Sequence, residues 1–156
     1  MSSQVSTEYA VELDAFARLM RAHTVLRREL EAEVLGPRGL TINDFEALMH
    51  LARADEHRLR RVDLVERLML TPSGVTRLLE GLQEAGLVEN VHCEDDHRVT
   101  WARLTSEGSE TLDCVGASHT QRLRTLFRDT LSEDEVAQLA ELLGRLPGVG
   151  PGSCTG

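Results

Sequence analysis

Residues 71–86 read TPSGVTRLLEGLQEAG, and residues 87–108 continue as LVENVHCEDDHRVTWARLTSEG. Thr71 is suited to cap the free amides of a helix, and Pro72 to occupy its first position, where a missing N–H is no loss. Val75, Leu78, Leu79 and Leu82 then recur at helical spacing and mark an inward stripe, while Gly86 is placed to stop the helix. The opposite face carries Ser73, Thr76, Arg77, Glu80 and Gln83. Two short extended stretches follow, Leu87 to His92 and Val99 to Leu104. The polar run Cys93-Glu94-Asp95-Asp96-His97-Arg98 between them predicts a β-hairpin with a connection longer than the tightest turns.

Upstream, Val62, Val65 and Leu68 predict a short helix closed by Leu70, and the polar run Asp55 to Arg61 reads as a linker. Thr41 with Asp44 in the first turn opens an earlier helix whose buried face is Phe45, Leu48, Met49 and Ala52. Gly36-Pro37-Arg38-Gly39 ends a long first helix in which Leu13, Phe16, Met20, His23, Leu30 and Val34 form the apolar stripe. Downstream, Thr105-Ser106-Glu107-Gly108 begins a helix running through Leu112, Val115, Leu123, Leu126 and Phe127. Ser132 to Glu135 has the form of a capping box for a last helix bearing Val136, Leu139, Leu143 and Leu146, which Pro147 stops. The expectation is one mainly α domain over 1–156: a winged helix-turn-helix lobe over 41–105, flanked by long helices over 7–35 and 106–147.

The chain has 156 residues, a formal charge of -9 and only 3% aromatic residues. So few aromatics disfavour stacking on single-stranded bases. Net acidity at first disfavours any nucleic acid, because phosphates are neutralised by cations. The acidity is unevenly spread, however: Arg58 to Thr105 holds seven arginines against eight acids, and the remainder holds ten against eighteen. All 17 basic residues are arginine, the side chain able to grip phosphate or guanine with two parallel bonds. No run of about 18 apolar residues exists and the N-terminus is polar, so a cytoplasmic location is expected, with no membrane partner. P-loop, nucleophile-elbow and Rossmann fingerprints are absent, and neither an enzymatic activity nor a cofactor is expected.

A helix that reads a major groove must bury one stripe and offer small or hydrogen-bonding side chains from the other, near its N-terminal amides. Thr71, Ser73, Thr76 and Arg77 meet that demand. In the hairpin connection, Asp96 and Arg98 stand two apart; an arginine there can enter the narrow, electronegative minor groove while the aspartate steadies its guanidinium. With these features on the page, the stretches LTINDFEALMHL, RRVDLVERLMLTPSGVTRLLEGLQEAGLVE and DHRVTWARLTSEG resemble the MarR family of bacterial transcriptional regulators from Leu40 to Leu112. The resemblance rests on the capped TPSGVTRLL helix, the GLV exit, the Asp96-His97-Arg98 wing and the LT-x-x-G of Leu104 to Gly108. It implies a homodimer intertwined through the first and last helices, bound to double-stranded DNA at a pseudopalindromic operator. It also implies repression relieved by a small anionic or phenolic effector, with Thr71, Ser73, Thr76, Arg77, Asp96 and Arg98 on the DNA.

For the effector, Arg21 and His23 of the first helix could bind a carboxylate or phenolate; the alternative for His23 is a packed ring near the dimer interface. Glu46 and Arg53, seven apart on one helix face, resemble an acid/arginine pair of the family's urate-responsive branch. The first-helix tryptophan of that branch is missing, since the only tryptophan is Trp101. A redox sensor is a further alternative, but Cys93 lies beside three acids that disfavour its thiolate, Cys114 reads as a packing residue, and Cys154 lies in the Gly-rich tail. Metal sensing would rest on Cys93-x-x-x-His97, half a site at best, and no metal is expected. A winged-helix protein-interaction module without DNA binding is the alternative from another class.

Overall fold

The computed structural model describes residues 10–92 and 99–149. Helix α1, Ala10–Leu30, widens at its end into one π-helical turn, Glu31–Leu35, which carries Val34 and Leu35 into the core. A 3₁₀ turn, Gly36–Arg38, leads to α2, Ile42–Arg53. Thr41 and Asp44 form a full capping box there, the Thr41 amide donating to Asp44 at 2.8 Å. Helix α3 spans Arg61–Leu68 and α4 spans Pro72–Glu84; strands β2, Val88–His92, and β3, Thr100–Leu104, form the hairpin. Helix α5, Ser106–Arg128, and α6, Glu133–Gly144, complete the chain, α6 beginning at the Ser132/Glu135 capping box.

The run Asp55 to Arg61 is not a plain linker. Residues Arg58–Arg60 form a strand, β1, which pairs antiparallel with β3 and gives a sheet of order β1-β3-β2. Only Leu59 of the three points inward, so no alternation long enough to be read betrays the strand. Glu56 and His57, just before it, adopt positive φ of 53° and 54° to turn the chain from α2 into the sheet edge.

One core joins the lobe. Leu48 and Leu51 of α2, Leu64 of α3, Val75 and Leu79 of α4, and Val115 of α5 are almost entirely withdrawn from solvent. Each contributes about 1.5–3 kcal/mol through burial. The stripe of α4 is as expected, with Val75, Leu79 and Leu82 buried and Leu78 half-buried. The stripe of α3 is shifted: Leu64 and Leu68 face the core, whereas Val62 is 55% exposed. With eight residues, α3 presents two full turns and has room for a single inward row.

Helix α1 behaves differently. Within the single chain only Leu30 of α1 is buried, and Leu13, Phe16 and Met20 are exposed by 64, 62 and 43%. His23 is exposed as well, along with that open stripe.

Candidate nucleic-acid interface

The N-terminus of α4 is built by its first three residues. Thr71 Oγ1 accepts from the Gly74 amide at 3.1 Å and meets Ser73 Oγ at 3.2 Å, while Pro72 supplies the preset φ of the first turn. Thr76 is half-buried and its hydroxyl donates to the Pro72 carbonyl at 3.0 Å, which leaves the oxygen's two lone pairs able to accept. Ser73 and Arg77 are exposed, and among the described residues no carboxylate lies within 4.0 Å of Arg77. Ser73, Thr76 and Arg77 therefore share one outward edge at the positive end of the helix dipole. Met69, in the turn before α4, takes a left-handed φ of 52° and is 88% exposed beside that edge.

The exit of α4 is fastened to the rest of the lobe. Gly86 adopts φ 75°, and the Leu87 amide donates back to the Leu82 carbonyl at 2.9 Å. Thr105 Oγ1 donates to the Gly86 carbonyl at 2.7 Å, the Thr105 amide donates to Leu87 at 3.1 Å, and Thr105 Oγ1 accepts from Gly108 at 3.0 Å to cap α5. A Cβ on Gly108 would stand 2.1 Å from the Leu87 carbonyl oxygen. The LT-x-x-G pattern thus has a mechanical meaning: buried leucine, cap, and a glycine where α5 touches the backbone leaving α4.

The hairpin is tied to α4 by an amide pair, Gln83 with Asn90, at 2.8 and 3.3 Å. Arg103 bridges to Glu89 across β2 and β3 at 2.8 Å, and Arg58 lies 5.0 Å over the Trp101 ring. Arg60 forks onto Asp63 at 3.0 and 2.9 Å at the start of α3, which holds the Asp63 carboxyl below its ordinary range. Residues 93–98, and with them Asp96, Arg98, Cys93 and His97, lie outside the described residues, as does Cys154.

A cavity of about 570 Å³ opens between α2 and α5. Glu46 and Arg53 both line it, together with Phe45, Met49 and His119. Burial pushes the Glu46 carboxyl upward, countered in part by the positive charges of Arg27 and His23. His119 stacks on Phe45 with centroids 4.5 Å apart, and burial lowers its pKa. His119 was not singled out from sequence, although it continues the α5 row of Leu112, Val115 and Leu123 at steps of three and four. Arg21 and His23 are exposed on α1 and do not line the cavity. Cys114 is not packed: it is exposed and accepts from Arg38 at 3.0 Å.

No helix among the described residues is long and apolar enough to cross a membrane. Residues 38–99 match the model of the MarR family. The HTH-type transcriptional repressor YetL of Bacillus subtilis is 30% identical over 88% of this chain and 81% of its own. The HTH-type transcriptional regulator PecS of Dickeya dadantii is 29% identical over 82% and 76%. Among solved structures, AbsC, a MarR family transcriptional regulator from Streptomyces coelicolor, superposes with a TM-score of 0.75 at 32% identity, covering 85% of this chain and 89% of that one. Sco3205 from the same organism, solved in complex with DNA, gives 0.77 at 25% identity, covering 91% and 92%.

Proposed function

The chain belongs to the MarR family of transcriptional regulators, and from that premise we propose that it is a homodimeric repressor that leaves its operator when a small anionic or phenolic ligand enters the α2–α5 cavity. The observation that carries the DNA-binding reading is the outward edge of α4. A capped helix end offers Ser73, Thr76 and an Arg77 free of any described carboxylate, and its stripe is locked into the core. Thr71 and Ser73 suit a backbone phosphate at the helix end, and Thr76 and Arg77 suit base edges. Asp96 and Arg98 supply the minor-groove contact from the hairpin connection.

The open apolar row of α1 supports the dimer. Leu13, Phe16 and Met20 are large side chains exposed in sequence-periodic order, and Leu142 and Leu146 near the other end of the chain are exposed too. A second copy covering these rows by two-fold symmetry would present two α4 helices to successive turns of one DNA face. Repression is favoured by the likeness to YetL, a repressor by name. Glu46 and Arg53, which both line the cavity, would orient the ligand.

Sedimentation and fluorescence anisotropy on duplexes selected from genomic fragments test this reading. A dimer is expected to bind a preferred duplex at low salt, with Arg77→Ala weakening that duplex by about tenfold or more while altering sequence preference. Arg98→Ala should weaken nearly all duplexes alike and reduce the salt slope by about one. A folded dimer with no duplex binding at low salt would overturn the proposal.

A further inference from the structure

A second recess lies on the far side of Arg53. The end of α2, the Asp55–His57 turn, β1, α3 and the indole of Trp101 enclose a groove of about 380 Å³, at the small end of the range for ligand pockets. Three guanidinium groups line it, from Arg53, Arg58 and Arg67. Arg58 is fixed, stacked over Trp101 at 5.0 Å and paired with Glu56. Arg53 and Arg67 have no carboxylate within 4.0 Å among the described residues. Their fields also reach His50, one turn back on α2, whose pKa is lowered first by burial and then by Arg67 and Arg53. The groove contains none of Thr71, Ser73, Thr76 or Arg77.

Glu56 is already engaged by Arg58, whereas Arg53 and Arg67 stand on different helices and neither is paired with a carboxylate among the described residues, so an anion in the groove is drawn by both. Each offers a planar fork of donors matched to carboxylate or phosphate oxygens, and the shallow, half-polar walls leave no place for a large apolar body. We propose that this groove binds a compact polyanion of metabolite size, held by the forks of Arg53 and Arg67 with Arg58 as the immobile third contact. Asp55, also on the rim, opposes the ligand and limits its affinity.

Trp101 is the only tryptophan in the chain, so its emission reports on the groove directly. The full chain is titrated with citrate and, separately, with pyrophosphate, with ionic strength held constant by sodium chloride. A saturable change in emission is expected with at least one of them, and the tighter of the two tells a carboxylate source from a phosphate source. Arg67→Gln should weaken binding by about tenfold, as expected for one charge-assisted contact, and Asp55→Asn should tighten it. Both positions are exposed, and far-UV circular dichroism checks that both variants fold. The proposal fails if neither anion gives saturation at millimolar concentration, or if Arg67→Gln leaves the titration unchanged. It fails equally if duplex DNA displaces the anion and Arg67→Gln lowers the salt slope of DNA binding, for the groove would then be a backbone-phosphate contact.

Discussion

Replacing Gly108 by alanine tests the fastening between α4 and α5. The added Cβ would lie 2.1 Å from the Leu87 carbonyl oxygen and 2.8 Å from a Leu104 methyl. Relief requires α5 to retreat by about 1.4 Å, since non-bonded carbon and oxygen atoms settle near 3.5 Å. That retreat stretches the Thr105 hydroxyl bond to Gly86 and the Thr105 amide bond to Leu87, now 2.7 and 3.1 Å. Overpacking of this kind costs about 1–3 kcal/mol, and each weakened hydrogen bond adds about 0.5–1.5 kcal/mol. Alanine's better helix propensity returns about 1 kcal/mol, leaving a net loss of about 1–5 kcal/mol. Gly81, inside α4, is the internal control, because nothing lies within 4 Å of the Cβ it would gain. Gly81→Ala should raise stability by about 0.5–1 kcal/mol. Urea unfolding followed by circular dichroism at one protomer concentration measures both. Equal effects at the two positions, or an unchanged midpoint for Gly108→Ala, would refute the reasoning.

Two further outcomes are expected. His119 has its folded pKa below the ordinary 6.5, so the unfolded chain binds more protons between those two values. Its contribution is therefore complete above pH 6.5 and is lost as pH falls toward the folded value; His119→Gln should flatten that part of a stability–pH curve, leaving the parallel contribution of His50. Asn90→Ala removes the amide pair with Gln83, which is exposed and worth about 1 kcal/mol or less to stability. By loosening the hairpin from α4 it should nonetheless weaken duplex binding by about threefold in anisotropy titrations.

The parts legible in the sequence are those whose physics is local. The Thr71-Pro72-Ser73 start, the Gly86 stop, the Thr41 and Ser132 boxes and the hairpin flanks are set by residues within a few positions of one another, and each stands where its pattern places it. The sheet edge was not legible, because β1 exists only through its pairing with β3, some forty residues on. Cys114, expected to pack, misled for a related reason: periodicity tells which residues share a face, not what covers that face. The pair Glu46 and Arg53 was readable as a shared helix face, whereas the His119 and Phe45 stack needed α5 to be laid across α2.

Helix α5, the 23 residues from Ser106 to Arg128, is about 34 Å long at 1.5 Å per residue. Its first turn is bolted to the exit of α4 through Thr105 and Gly108, so the two cannot slide independently. Such a rod works as a lever with α4 at the end of its full length. A tilt of about 5° about its far end displaces the near end by about 3 Å, close to the 3.4 Å advance of one base pair. Small angular changes where Phe127 and Arg128 lie are thus already large on the scale by which DNA spaces its letters.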